Sequence, residues 1–161
     1  MLDVLVIGAG PAGLFAADQL SGAGFTVRII DRMPSPARKF LMAGRGGLNI
    51  THSEDIDGFV RRYREAESFL APMIEAFPPK ALIDWCHELG QETFVGSSGR
   101  VFPVAMKASP LLRALLGRLE ERGVTLQTRC SLKGLPGEHT ATVQSEDRKT
   151  SEIPARATLL A

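Results

Sequence analysis

Hydrophobic residues at the start of the chain form two short unbroken runs, separated by a stretch with helical periodicity. The runs at 2–7 and 26–30 predict buried parallel strands, and the spacing of apolar residues over 11–22 predicts a helix. This order of elements is a βαβ unit, which places the two strands in one parallel sheet. A third parallel strand is predicted at 124–128, after a helix that begins near Ser109.

The middle of the chain has a different pattern. Polar and glycine-rich residues from 32 to 51 predict a long loop. Prolines then separate short stretches with helical periodicity, which we expect to form an inserted helical layer over about residues 55–90. Residues 93–95 and 100–102 flank a glycine-containing turn and predict a β-hairpin. The short helices are predicted at 55–65, 67–77 and 79–89.

The C-terminal part of the chain predicts β structure. Weak alternation of apolar and polar residues at 131–135, 140–145 and 150–153 indicates a small antiparallel meander over about residues 131–153. A last apolar run at 157–161 predicts the beginning of a further buried strand. Because that strand would end without a following loop or helix, we expect the natural chain to continue.

Three glycines after the first predicted strand have the spacing that is typical of a phosphate-binding turn. Gly8 permits a tight turn from strand to helix, Gly10 lets the backbone approach a diphosphate, and Gly13 lets the helix pack closely on the strand. A diphosphate would then lie against the free N–H groups and the positive end of the helix. The sequence therefore predicts a dinucleotide site at this turn.

An acidic residue follows the second predicted strand. Asp31 is expected to accept hydrogen bonds from both ribose hydroxyls of an adenosine, and its charge would repel a 2′-phosphate. This favours FAD or NAD over NADP in the first site. Arg32 is either placed over the edge of the adenine or is an exposed arginine at a strand end.

The glycine-rich loop predicted over 32–51 contains two positively charged residues near its glycines. Lys39 and Arg45 lie close in sequence to Gly46 and Gly47, so the loop offers both cations and backbone N–H donors. Such a loop suits an anion or the edge of a flavin. The alternative is a solvated loop with basic residues.

Composition argues against several classes of partner and of site. The 161 residues carry a net charge of +1, which gives no reason to expect nucleic acid or anionic lipid as a partner. The N-terminal apolar run is too short to span a bilayer and no basic leader precedes it, so we expect a cytoplasmic protein without a membrane partner. Cys86 and Cys130 form no Cys-x-x-Cys pair, so no redox centre or metal site is expected.

No residue is identified as catalytic. His52 and His87 have no carboxylate at a useful sequence spacing, so each is interpreted as a polar loop histidine. Ser97 and Ser98 lack a nucleophile elbow, so hydrolase chemistry is not supported.

Three stretches of the chain together resemble the BaiN-type family of NAD(P)/FAD-dependent oxidoreductases. The most specific of them is the middle one, because many flavoproteins share the first. Many family members have Gly-Arg-Cys-Asn where this chain has Gly46-Gly47-Leu48-Asn49, so any role of a cysteine at that place is absent here. The three stretches are 8–13 with 31–32, 39–52, and 99–112.

The resemblance implies an α/β fold, a Rossmann-like FAD/NAD(P)-binding domain of the glutathione-reductase type. It would comprise a parallel sheet with helices and a small antiparallel meander, cover residues 1–161, and be incomplete at its C-terminus. It also implies that the loop at Cys130 lies beside the adenine and contacts it through main-chain atoms. The expected cofactor-binding residues are Gly8, Gly10, Pro11, Ala12, Gly13, Asp31, Arg32, Lys39, Arg45, Gly46, Gly47, Asn49, Thr51 and Cys130.

The implied function is that of the FAD-binding part of a flavoprotein oxidoreductase. Such an enzyme transfers hydride between NAD(P)H and a small-molecule acceptor, and its flavin performs the chemistry. The alternatives are an NAD-dependent dehydrogenase with a single Rossmann site and a non-catalytic dinucleotide-binding module. Residues 1–161 alone are expected to bind FAD poorly and to be inactive, because further cofactor contacts would come from later segments.

Overall fold

A computed structural model describes residues 1–161, apart from the side chain of Arg45. The chain forms two compact units, one comprising residues 1–42 and 115–161 and the other residues 43–114. Turns of 3-10 helix occur at Gly44–Gly46 and Arg64–Ala66. In chain order the elements are β1 (Leu2–Ile7), α1 (Pro11–Gly22), β2 (Val27–Ile30), α2 (Arg38–Ala43), β3 (Thr51–His52), α3 (Ile56–Arg61), α4 (Glu67–Ala76), α5 (Pro79–Glu88), β4 (Thr93–Val95), β5 (Arg100–Pro103), α6 (Ala108–Glu121), β6 (Thr125–Gln127), β7 (Ser131–Gly137), β8 (Thr140–Gln144) and β9 (Thr150–Leu160).

The first unit contains a six-stranded sheet with the strand order β6-β2-β1-β9-β8-β7. The first four strands are parallel, and β9, β8 and β7 are antiparallel neighbours. Leu5 and Val6 of β1 are both fully buried, as expected for a parallel strand that is covered on both faces. The predicted βαβ unit, the third parallel strand and the meander are confirmed.

The last strand differs from the prediction. The sequence suggested a meander strand at 150–153 and a separate strand at 157–161, whereas β9 is continuous from Thr150 to Leu160. It pairs antiparallel with β8 as far as Pro154 and parallel with β1 from Ala155 onward. Pro154 breaks the apolar pattern but not the strand, because it lies where β9 changes from one partner to the other.

A buried ion pair joins α1 to α6 in the first unit. Asp18 is 2% exposed and accepts two hydrogen bonds from the Arg118 guanidinium, at 2.8 and 2.6 Å. Arg122 donates to both the carboxylate and the backbone carbonyl of Asp18, each at 2.9 Å. The charge-assisted, forked geometry holds the two helices in register.

The second unit combines a three-stranded sheet, of order β3-β5-β4, with helices α3, α4 and α5. The predicted hairpin is confirmed, with Thr93 opposite Pro103 and Val95 opposite Val101. The predicted helical layer is also confirmed, and α4 contains Pro72, as does the helix predicted over 67–77. A proline near the middle of a short helix removes one backbone donor without forcing the helix to end here.

The predicted loop over 32–51 is more ordered than its composition indicates. It contains the short helix α2, the 3-10 turn and the first residue of β3. Helix α2 has no buried residue, so no hydrophobic periodicity marks it in the sequence.

Replacement of Asp18 by Asn should strongly destabilise the protein. The change leaves Arg118 without its charged partner, and breaking a buried ion pair costs about 3 kcal/mol or more. Urea unfolding monitored by circular dichroism measures the loss. The matched control is Asp84→Asn, which breaks the exposed Lys80–Asp84 pair at 2.7 Å and should cost no more than about 0.5 kcal/mol. Equal losses in the two variants would contradict a structural role for the buried pair.

Candidate dinucleotide-binding site

The turn between β1 and α1 requires glycine at two positions for steric reasons. Gly8 has a φ of +112°, and a Cβ there would lie 2.3 Å from the carbonyl oxygen of Ala161. A Cβ on Gly13 would lie 2.0 Å from the carbonyl oxygen of Gly8. The close approach of helix to strand therefore depends on the absence of a side chain at Gly13, as the motif predicts.

Gly10 is different, because nothing lies within 4 Å of the position of its Cβ. It is the N-cap residue of α1, its φ of −77° is open to any residue, and Pro11 follows at the first helical position. The first N–H groups of a helix have no intrahelical acceptor, and the positive end of the helix dipole lies there. Open space at Gly10 thus adjoins backbone donors that suit an anion.

Asp31 fixes the turn from the side of β2. Its carboxylate accepts hydrogen bonds from the backbone N–H groups of Ala9 and Met33, at 2.7 Å each, one on each oxygen. The backbone of Asp31 is also held, by N–H donation to Gln127 and by acceptance from the N–H of Cys130. Asp31 therefore ties together the glycine turn, the residues after β2 and the residues after β6.

These residues surround a cavity of about 450 Å³ in the first unit. This volume lies within the range of about 300–1,000 Å³ that is typical of small-molecule sites. Ala12 and Gly13 follow on α1 and are not among the residues that line it. The predicted site residues that do line it are Gly8, Gly10, Pro11, Asp31, Arg32, Lys39 and Cys130.

Sequence reasoning missed part of the lining. Arg38 lies beside Lys39 at the start of α2, and Met33 and Ser35 precede it in the same wall of the cavity. With Arg32, the lining contains three exposed cations against the single carboxylate of Asp31. The basic residues between 32 and 39 indicated positive charge near the site. No rule of sequence spacing predicts which of these cations line the cavity.

Cys130 lies behind the cavity surface. Its side chain is 1% exposed and packs in a core cluster with Leu5 and Ile30. Burial raises the pKa of the Cys130 thiol, an effect that the nearby positive charge of Arg28 partly opposes. Burial likewise raises the pKa of Cys86 in the second unit to about 11. Both thiols are therefore protonated at neutral pH, which makes them poor nucleophiles.

Five of the predicted site residues belong to the second unit, Arg45, Gly46, Gly47, Asn49 and Thr51. Gly47 has a φ of +107° directly after the 3-10 turn, and Gly46 is exposed. The side-chain amide of Asn49 donates to the carbonyl oxygens of Thr51 and Val101, at 2.8 and 3.1 Å. Arg45 was also predicted to contact the cofactor, but its side chain lies outside the described residues. Cofactor contacts by these loop residues stay predictions.

His52 has a carboxylate neighbour that the sequence analysis did not foresee. Its Nδ1 lies 3.3 Å from Oε1 of Glu54 and accepts a hydrogen bond from the Glu54 N–H. Its Nε2 lies 3.0 Å from the carbonyl oxygen of Ser98. The expectation that no carboxylate accompanies His52 was wrong, because a turn after β3 brings a residue only two positions away back to the ring.

The parallel sheet, the glycine turn and the acid after β2 together define a Rossmann-type α/β domain of the class found in FAD-dependent oxidoreductases. The chain belongs to the family described as the HI0933-like protein Rossmann domain, whose sequence profile matches residues 2–161. This confirms the family to which the motifs pointed.

Two curated relatives align with part of the chain. The ribosomal RNA dihydrouridine synthase of Escherichia coli strain K12 is 44% identical over 50 residues, which are 31% of this chain and 12% of that protein. The ferredoxin–NADP reductase of Thermus thermophilus is 33% identical over 81 residues, which are 48% of this chain and 21% of that protein. The chain therefore matches only a small share of the length of these relatives.

Solved structures show the same fold at low identity. A flavocytochrome c3 fumarate reductase in an open conformation superimposes with a TM-score of 0.74 and 20% identity, covering 99% of this chain and 33% of that one. A 3-ketosteroid-delta4-(5alpha)-dehydrogenase from Rhodococcus jostii RHA1 gives a TM-score of 0.66 and 14% identity, covering 98% of this chain and 45% of that one.

The described residues contain neither a metal-binding cluster nor a helix suited to cross a membrane. No cluster of His, Cys, Asp or Glu in the described part of the chain is arranged to hold a metal ion. No helix among those residues has the length and apolar character needed to cross a membrane. The cytoplasmic location stays a prediction.

Gly13 and Gly10 should respond differently to replacement by alanine. Gly13→Ala places a methyl group against the backbone of Gly8 and should cost at least about 2 kcal/mol of folding free energy. Gly10→Ala fills open space and should cost about 1 kcal/mol or less, because alanine is only a poorer N-cap. Thermal unfolding without ligand measures both changes. Similar losses in the two variants would mean that the turn is not packed as described.

Proposed function

We propose that the cavity of the first unit binds the ADP part of FAD. We further propose that the natural protein uses the flavin to pass a hydride from NAD(P)H to a small-molecule acceptor. The observation that carries this proposal is the presence of Gly10, the N-terminus of α1 and the carboxylate of Asp31 in one cavity.

The diphosphate would lie at Gly10. This is the position in the turn where a ligand meets open space and the N–H groups of the first helical turn. The cations Arg38 and Lys39 line the same cavity and would offset the remaining negative charge.

The ribose would be held by Asp31. Each of its carboxylate oxygens accepts one backbone hydrogen bond and retains a further lone pair for a ribose hydroxyl. The two backbone contacts fix the orientation of the carboxylate before any ligand arrives, so little conformational entropy is lost on binding.

The adenine would lie against the residues after β6. Cys130 and Ser131 both line the cavity. Because the N–H of Cys130 already donates to Asp31, only its carbonyl oxygen is available to the base. The thiol is directed into the core and has no part in the contact.

FAD, when bound, would supply hydride transfer, and the residues described here would bind and orient it. Support for a nicotinamide donor comes from the Thermus thermophilus relative, whose name includes NADP. No described residue is assigned a proton-transfer step.

The curated relatives favour a second candidate for the acceptor. Proteins from Escherichia coli and Haemophilus influenzae, 44% and 46% identical over 50 residues, are named ribosomal RNA dihydrouridine synthases. The net charge of +1 over this chain offers little attraction for RNA, so we place the small-molecule acceptor first. Faster NAD(P)H oxidation on addition of ribosomal RNA, but not of small quinones or enones, would reverse this order.

A visible absorption spectrum of the full-length gene product, followed by cofactor extraction, tests the proposal. Flavin absorbance with released FAD and NAD(P)H oxidation would support it. A colourless protein that oxidises a substrate with NAD would indicate the single-site dehydrogenase. Nucleotide binding without any oxidation would indicate the non-catalytic module.

Gly10→Val should abolish FAD binding and leave the fold largely intact. The valine side chain would occupy the open space in which the diphosphate lies. Flavin released by heating and measured by fluorescence gives the occupancy. The control is Cys130→Val, a change inside the core that should retain FAD. Equal occupancy in Gly10→Val and the parent would place the diphosphate elsewhere.

Asp31→Ala should weaken FAD binding at least tenfold. Each lost hydrogen bond to a charged acceptor is worth about 1.5–3 kcal/mol at most, with a smaller loss where water replaces it. Titration of the apoprotein with FAD measures the dissociation constant. Because Asp31 also accepts two backbone N–H groups, unfolding must be recorded in parallel and binding compared below the transition. An unchanged dissociation constant would refute the ribose contact.

A further inference from the structure

A second cavity, of about 420 Å³, lies within the second unit. We refer to it as the helical-layer cavity, because the ends of α3, α4 and α5 form one wall and β3 with the preceding residues forms the other. It has no lining residue in common with the dinucleotide cavity. The residues that line it are Asn49, Ile50, Thr51, His52, Phe59, Tyr63, Ile74, Phe77, Pro78, Pro79 and Leu82.

The wall formed by the helices is apolar and largely aromatic. Phe59 and Tyr63 meet edge to face, with ring centroids 5.9 Å apart, and Phe77 adds a third ring to the lining. Flat faces and edges of this kind suit a planar ring, which gains both apolar burial and ring–ring contact. No lysine, arginine, aspartate or glutamate is among the lining residues, so the cavity favours a neutral ligand.

The opposite wall offers hydrogen-bond acceptors in a fixed place. Both amide hydrogens of Asn49 are used by backbone carbonyls, which leaves its Oδ1 to accept. Thr51 is only 9% exposed as a residue and lines the cavity, and its hydroxyl is not among the buried polar atoms that lack a partner. The hydroxyl is therefore open to the cavity, where a ligand donor could take the place of water.

Both ring nitrogens of His52 are already in contact with protein atoms, so His52 contributes shape rather than a free donor. Asn49 Oδ1 is an acceptor and the Thr51 hydroxyl can act as one, so the matching group on a ligand is an N–H or O–H. We propose that the helical-layer cavity is a binding site for a neutral, planar aromatic molecule that carries one such donor. This cavity shares no lining residue with the dinucleotide cavity, but its Asn49 and Thr51 are also among the expected cofactor-binding residues, so flavin content is measured beside ligand binding in each test.

Indole and 1-methylindole form a matched pair of probes, because they share the ring and differ in the N–H. Isothermal titration of the full-length protein should show that indole binds, that 1-methylindole binds about three- to tenfold more weakly, as the loss of one hydrogen bond predicts, and that benzoate does not bind. Failure of indole to bind at millimolar concentration, or equal affinity for the two indoles, would overturn the proposal.

Thr51→Val tests the hydroxyl. Because that hydroxyl is open to the cavity, the ligand-free variant should melt at the same temperature as the parent or above it, yet lose the preference for indole over 1-methylindole. Flavin absorbance is recorded alongside, so that a loss of cofactor is distinguished from a loss of indole binding. A retained preference would show that Thr51 does not meet the donor, and an equal loss of affinity for both indoles would contradict the assigned hydrogen bond.

Leu82→Trp tests the location by filling the cavity, and it should abolish indole binding. The control is Met73→Trp, at a position 54% exposed on α4 and outside the lining. Unchanged indole affinity in a folded Leu82→Trp variant would place the binding elsewhere, as would an equal loss in the Met73 variant.

Discussion

The carboxylate of Asp31 is the contact on which the geometry of the first unit most depends. It joins the turn after β1 to the chain after β2, together with backbone hydrogen bonds from Gly8 to Ile30 and from Ala37 to Ala9. Hydrogen bonds to an ionised acceptor are stronger than neutral ones, and two of them in a half-buried place hold both segments. The same group that would recognise a ribose thus also builds the site, which makes recognition and local structure inseparable at this residue.

The three glycines of the turn differ in what surrounds them, because Gly8 and Gly13 are closely packed and Gly10 faces open space. Packing within the protein requires glycine at Gly8 and Gly13, because a methyl group would lie 2.3 Å and 2.0 Å, respectively, from a backbone oxygen. Nothing in the protein lies within 4 Å of a Cβ on Gly10, and the proposed diphosphate would occupy that space. A motif that looks uniform in sequence therefore contains two positions restricted by packing and one that is open.

Local patterns predicted those parts of the molecule in which neighbours in sequence are also neighbours in space. The strands β1 and β2, helix α1 and the hairpin at 93–103 all carry such patterns. The Asp18–Arg118 pair joins residues 100 positions apart, so no local sequence pattern predicts it. The contact of His52 with Glu54 depends on a turn conformation rather than on residue type. Of the site, the glycines and Asp31 were recognisable, whereas the choice among Arg32, Arg38 and Lys39 depends on the path of α2.

Strand β9 has a consequence for how the protein reaches its native state. Its second half pairs with β1, and the registers match Leu2 with Ala155 and Ile7 with Leu160. β1 must therefore wait for about 150 further residues before this second neighbour exists. During that interval one edge of β1, directly before the glycine turn, has unpaired N–H and C=O groups. Synthesis of this chain thus leaves one edge of β1 open to chaperones and to wrong partners until β9 closes the sheet.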